Sequence, residues 1–72
     1  MQHRDEHARL STLQGVIDEK TASAYLCLSR SWLRQSRMRG AGPVYLKVGR
    51  AVRYRLVDLD EWLARHRVCP AG

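Results

Sequence analysis

Acidic residues are missing from the middle of this 72-residue chain, with none between Glu19 and Asp58. The same interval holds nine cations: Lys20, Arg30, Arg34, Arg37, Arg39, Lys47, Arg50, Arg53 and Arg55. The remainder carries four basic and seven acidic residues. A surface built only for solubility mixes its signs, whereas a block of one sign is the footprint of a polyphosphate partner. Phenylalanine is absent, and the only two cysteines, Cys27 and Cys69, are too far apart in sequence to form a metal-type pair. Both are expected as free thiols in a reducing compartment. No apolar run reaches the length of a membrane span or a secretory signal core, so the expectation is a soluble, cytoplasmic protein with no membrane partner. Internal repeats and low-complexity tracts are also lacking. His3 and His7 stand four apart near the N-terminus without the further ligands a metal site needs. No nucleophile-and-base arrangement is recognisable. An enzyme is therefore not expected, nor is a cofactor or a metal.

What is present fits one small domain, near the lower limit for a self-supporting core. Residues 1–15 read as a flexible lead-in, 16–67 as the folded part and 68–72 as a tail. A first helix is expected from Ile17 to Leu26, capped by Asp18, with Glu19 in its first turn favouring the positive end of the dipole. Ala22, Tyr25 and Leu26 share one face. Cys27-Leu28 is a tight turn, and Ser29 has the chemistry to cap a second helix running from Arg30 to about Met38, with Leu33 inward. Arg30, Arg34 and Arg37 recur at three- and four-residue steps, which crowds them on one broad face. Two helices joined by so short a turn, the second basic, make a helix-turn-helix.

Gly40-Ala41-Gly42-Pro43 ends that helix. Val44–Val48 and Val52–Leu56 both alternate with period two, and Gly49-Arg50-Ala51 between them makes a β-hairpin. Its apolar face, Val44, Leu46 and Val48 with Val52, Tyr54 and Leu56, is expected to rest on the helices. A third helix opens at Asp58, with Glu61 completing a capping box and Leu59, Trp62 and Leu63 as the inward stripe. The expected fold class is α+β, a small winged helix-turn-helix: helix, turn, helix, hairpin wing, C-terminal helix.

From Ile17 to Arg65 the chain resembles the excisionase and MerR-like winged-helix superfamily, in particular small phage and mobile-element regulators of the AlpA and excisionase type. The resemblance is carried by Thr21-Ala22-Ser23-Ala24-Tyr25-Leu26, Leu28-Ser29, Leu33, Gly40-Ala41-Gly42-Pro43, Lys47-Val48-Gly49-Arg50, Val52-Arg53-Tyr54 and Asp58-Leu59-Asp60-Glu61-Trp62-Leu63. It implies a recognition helix in the major groove and a wing on the backbone or in the adjacent minor groove. It also implies cooperative binding by several copies, DNA bending, and a partner tyrosine integrase tilted toward excision. AlpA-like members instead regulate promoters. Two positions depart from the family pattern: Cys27, where glycine is usual because the helix end tends to be left-handed, and Ser36, where a bulkier apolar residue is common.

The candidate contact residues follow. Arg30, Arg34, Gln35 and Arg37 are candidates for reading base edges, since Arg addresses guanine and Gln adenine through paired hydrogen bonds; their plainer role is a solvated face with phosphate contacts only. Ser29 and Ser31 lie at the helix start, where a phosphate is favoured. Lys47, Gly49, Arg50 and Arg53 form the candidate wing, with edge protection as the alternative. Tyr25, Tyr54 and Trp62 are expected to pack inside, and Cys27 to be a small apolar turn residue. Trp32 has three roles open to it: covering the core edge at Leu28, touching a thymine methyl, or meeting a neighbouring protomer. An adaptor binding RNA or an acidic protein is the rival from another class, but RNA readers display exposed aromatics.

Overall fold

The computed structural model describes residues 15–71. Along the chain lie β1 (Val16–Asp18), α1 (Glu19–Leu26), α2 (Arg30–Met38), β2 (Leu46–Val48), β3 (Ala51–Arg55) and α3 (Leu56–Arg65). The fold class is α+β, with three helices and a three-stranded antiparallel sheet of order β1-β3-β2. Most of the expected lead-in, the His3 and His7 pair included, lies outside the described residues. Gly15 belongs to the fold: its carbonyl accepts the Leu56 N–H at 2.7 Å.

Strand β1 replaces the expected start of the first helix. Val16, Ile17 and Asp18 pair with Arg55, Tyr54 and Arg53, so β3 is bonded on both sides. Tyr54 on β3 is fully buried, and a buried strand needs partners for the backbone groups on each edge. Ile17, directly opposite Tyr54, packs against the core. The helix begins at Glu19, two residues later than expected, and Asp18 caps it as expected, accepting the Thr21 N–H at 2.8 Å.

Helices α1 and α2 end alike. The Leu28 N–H donates to Ser23 O and Cys27 N–H to Ala24 O; Ala41 N–H donates to Ser36 O and Gly40 N–H to Arg37 O. Each is the paired closure of a Schellman motif around a left-handed residue. That residue is Gly40 at φ +71 in one case and Cys27 at φ +57 in the other, where it is also exposed and no part of the core. Between these ends Ser29 caps α2, its Oγ accepting the Trp32 N–H at 3.0 Å.

The small residue at position 36 has a packing cause. Ser36 is buried, its Oγ donates to Leu33 O at 2.8 Å, and Gly42 lies directly against it. A Cβ at Gly42 would stand 2.5 Å from Ser36 Oγ and 2.9 Å from its Cβ. The loop from Gly40 therefore folds back over α2 only because both positions are small.

The hairpin differs from expectation by one residue. Its loop is Gly49-Arg50, with Val48 paired to Ala51 and Leu46 to Arg53. Gly49 takes φ +61 and Arg50 no positive φ, the pattern of a type II′ turn. Shortening the loop by one residue turns β2 over, because side chains alternate with period two. Leu46 and Val48 share a face with Arg53, and Val48 is 63% exposed. Lys47 shares the helix-facing side with Val52, and Tyr45 reaches Tyr54 there, with ring centroids 6.3 Å apart. The alternation on β3 holds as expected, with Val52 half-buried and Tyr54 fully buried.

Helix α3 starts at Leu56 rather than at Asp58, and no side chain caps it. Asp58 is buried, and its carboxylate receives Arg55 Nε and Nη2 at 2.9 and 3.0 Å, a fork-to-fork pair that replaces the expected cap. Leu59 is fully buried, Trp62 half-buried, and Leu63 exposed rather than inward. Trp32 meets Trp62 edge to face at 5.6 Å and packs against the core. Tyr25 faces solvent instead of packing inside, its hydroxyl donating to Asp60 at 2.6 Å. Ala22, Leu26, Leu33, Tyr54 and Leu59 complete the core.

Two stability tests follow. Cys27→Gly should raise the unfolding free energy by about 0.5–1 kcal/mol, as left-handed strain relieved exceeds entropy lost, and urea titration reads it. Gly42→Ala should cost at least about 1 kcal/mol more than Gly49→Ala. Both replace a glycine of positive φ, but a Cβ at Gly49 meets nothing within 4 Å. Equal losses would remove the Ser36 contact from the account.

Candidate nucleic-acid interface

Placing Arg30, Arg34 and Arg37 on one helical face puts three like charges within about two turns, which repel unless a carboxylate intervenes. The carboxylate is Glu19, the first residue of α1. Its Oε2 accepts Arg37 Nη1 at 2.8 Å, and its Oε1 faces Arg34 Nε at 3.3 Å and Arg30 Nε at 3.4 Å. The Glu19 side chain is 14% exposed and that of Arg37 17%, against 51% and 55% for Arg30 and Arg34. Only the Arg37 pair is short, so it carries most of the interaction; the other two are long and half in solvent.

Arg37 is thus unlike its two neighbours. Its Nη1 also donates to Tyr54 Oη at 2.9 Å, and its guanidinium lies over the Tyr45 ring at 5.6 Å. It ties α2 to the β1–α1 junction and to β3. Arg30 and Arg34 engage Glu19 through Nε, and their terminal Nη groups form no hydrogen bond among the described residues. Burial works to raise the Glu19 pKa, but hydrogen bonds from Arg37 and Arg34, and their charges, outweigh it and hold the group below the ordinary glutamate value. Burial likewise works against the Arg37 charge, and Glu19 with Tyr54 reverses the effect. The hydrogen bonds from Thr21 hold Asp18 low as well.

These groups line one open cleft of about 460 Å³, bounded by Asp18, Glu19, Lys20, Arg30, Arg34, Arg37 and the hairpin residues Arg50 to Arg53. Six cations face two carboxylates there, a net of +4. Of the expected contact residues, the cleft brings together Arg30, Arg34, Arg37, Arg50 and Arg53. Ser29, Ser31 and Gln35 are exposed on α2, and Lys47 and Gly49 on the hairpin, outside the cleft lining. Lys20 and Glu19 are members that sequence reasoning did not assign to the site. The available signal for Glu19 was its place at the border of the acid-free block, where the nearest carboxylate must serve any arginine that becomes buried.

Chemically, such a cleft can take an extended polyanion along its mouth, with arginine forks for phosphate or base edges. Among the described residues, no group of three or more His, Cys, Asp or Glu could hold a metal ion, and no helix is long and apolar enough to cross a membrane. Compared with known proteins, the chain matches no family model, and no curated protein matches it either.

The lowered Glu19 pKa sets a pH dependence. A carboxylate held below its unfolded value contributes stability above that value, about 4.3, and loses it as pH falls through the folded pKa. Glu19→Gln should cost about 1–3 kcal/mol at neutral pH. Its deficit relative to the wild type should close as the pH falls below about 4. Urea midpoints for both proteins across that range measure it, and a deficit that stays constant in acid would show that the carboxylate charge is not what stabilises.

Proposed function

We propose that this chain is a winged helix-turn-helix protein that binds double-stranded DNA without catalysing a reaction. Helix α2 is the recognition helix and the β2–β3 hairpin the wing. The observation that carries this reading is the convergence of Arg30 and Arg34 from α2 with Arg50 and Arg53 from the hairpin on one cleft with a net charge of +4. A helix and a hairpin tip that share one positive surface can follow a duplex across major groove, backbone and minor groove. Arg30 and Arg34, with free Nη edges, and the exposed Gln35 are the base readers. Ser29 and Ser31 bond phosphate at the start of α2. Arg37 holds the helix in place, and Lys47, Arg50 and Arg53 meet the backbone. RNA recognition is disfavoured because no aromatic side chain lines the basic cleft to stack an unpaired base.

Within that class, the resemblance to excisionases favours a directionality factor. Several copies bind adjacent repeats beside an attachment core, bend the DNA and steer a tyrosine integrase toward excision, in the cytoplasm of a bacterial cell. Footprinting should show adjacent protected repeats, and excision in a reconstituted assay should depend on the protein. Protection confined to promoters, with excision unaffected, would move the protein to the AlpA-like regulators.

Two variants test the interface by gel shift over a range of salt. Arg50→Ala should weaken binding to all duplexes and flatten the slope of log affinity against log salt by about one phosphate contact. Arg34→Ala should cost about 1–3 kcal/mol on the preferred sequence and much less on others. An unchanged salt slope for Arg50→Ala would remove the hairpin from the interface.

A further inference from the structure

The Glu19 carboxylate has no evident place in a polyanion-binding surface, since any negative charge there opposes a phosphate. We propose that Glu19 is a specificity-determining positioning residue: its carboxylate engages the Nε atoms of Arg30 and Arg34 and so holds their Nη edges end-on for base recognition, at the expense of indiscriminate affinity. This rests on the DNA-binding reading above and goes beyond it by assigning discrimination to a side chain that touches no DNA.

Three observations converge. First, both half-exposed arginines meet Glu19 through Nε rather than through a terminal amino group. A guanidinium held at Nε keeps its two Nη groups, the end-on edge that matches the paired acceptors of guanine. Second, the carboxylate is itself fixed, being largely buried and anchored by the short bond to Arg37, which in turn is held by Tyr54. From that fixed pivot, the longer Nε contacts at 3.3 and 3.4 Å bias the orientation of two side chains that solvent would otherwise leave free. Third, Glu19 shares the cleft with Lys20, Arg50 and Arg53, so its charge offsets part of the field that any phosphate would feel. Restricting rotamers favours one arrangement of acceptors over the rest, while the negative charge penalises all duplexes equally. Together they lower binding to arbitrary sequence more than binding to the matched one.

The test compares the full chain with Glu19→Gln and Glu19→Asp on two probes, a random-sequence duplex and the duplex enriched by the wild type from a random pool. Wild-type binding to the random duplex decides the DNA-binding reading independently of either variant. For the positioning role, Glu19→Gln should bind the random duplex about threefold or more tighter, as expected for one removed charge at such range. Its preference for the enriched duplex should fall by about tenfold. Glu19→Asp keeps the charge but draws the carboxylate back by a methylene. It should lose preference without gaining random affinity, and it carries the test if Glu19→Gln melts too low to assay. The Nε–H resonances of Arg30 and Arg34 should shift in both variants. A wild-type ratio between the two probes in both variants would overturn the proposal. So would an equal fall on both probes, the signature of a residue that merely holds the fold.

Discussion

The structure turns on one ion pair that cannot be omitted. The Arg37 side chain lies only 17% exposed between α2 and the sheet, where an unpaired charge would cost several kcal/mol, and Glu19 answers it at 2.8 Å. Tyr54, the largest fully buried side chain, adds its hydroxyl to the same guanidinium. The three groups come from α1, α2 and β3, so a single polar contact sets the relation among the elements that bear the cleft. Helix α3 joins these elements at their far ends, where Tyr25 of α1 donates to Asp60 at 2.6 Å and Trp32 of α2 meets Trp62. That helix is held from below by Leu59 and Trp62 and from its start by the Arg55–Asp58 fork.

Close turns keep the rest in place. The link between α1 and α2 is so short that it closes only through a left-handed residue, and the chain places Cys27 where glycine would be unstrained. After α2 the loop must double back over the helix, and this requires Gly42 against Ser36. Ser36 is therefore matched to a loop that packs directly against it. Its hydroxyl bonds the Leu33 carbonyl, so burying it leaves no polar atom unsatisfied.

Much of this was legible in the residues. Asp18 and Ser29 announce the starts of α1 and α2 because capping is local chemistry. What was hidden depends on distant partners or on a single residue of phase. Val16-Ile17-Asp18 carries no alternating pattern long enough to register as a strand; it is one because β3 has a free edge. The face of β2 was misjudged because assigning Ala51 to the loop instead of the strand inverts every side chain on the partner. Asp58 looked like a cap because it precedes a helical stripe, but Arg55 binds its carboxylate and lets the helix begin at Leu56. Glu19 was placed in its helix yet not in the site, since its partners lie eleven to eighteen residues away.

The same placement resolves a conflict built into any basic helix of this size. Arg30, Arg34 and Arg37 at helical spacing repel one another, and a nine-residue helix has little intrinsic stability with which to oppose that. Spreading acidic residues along α2 would relieve the strain but would place carboxylates on its outer surface. A single carboxylate donated from the neighbouring helix, inserted beneath the arginines rather than among them, relieves the repulsion from the buried side and leaves the outer side cationic. The acid-free stretch and the acidic residue at its border are then two halves of one arrangement. The stretch supplies the charge, and Glu19 makes that charge compatible with a folded helix.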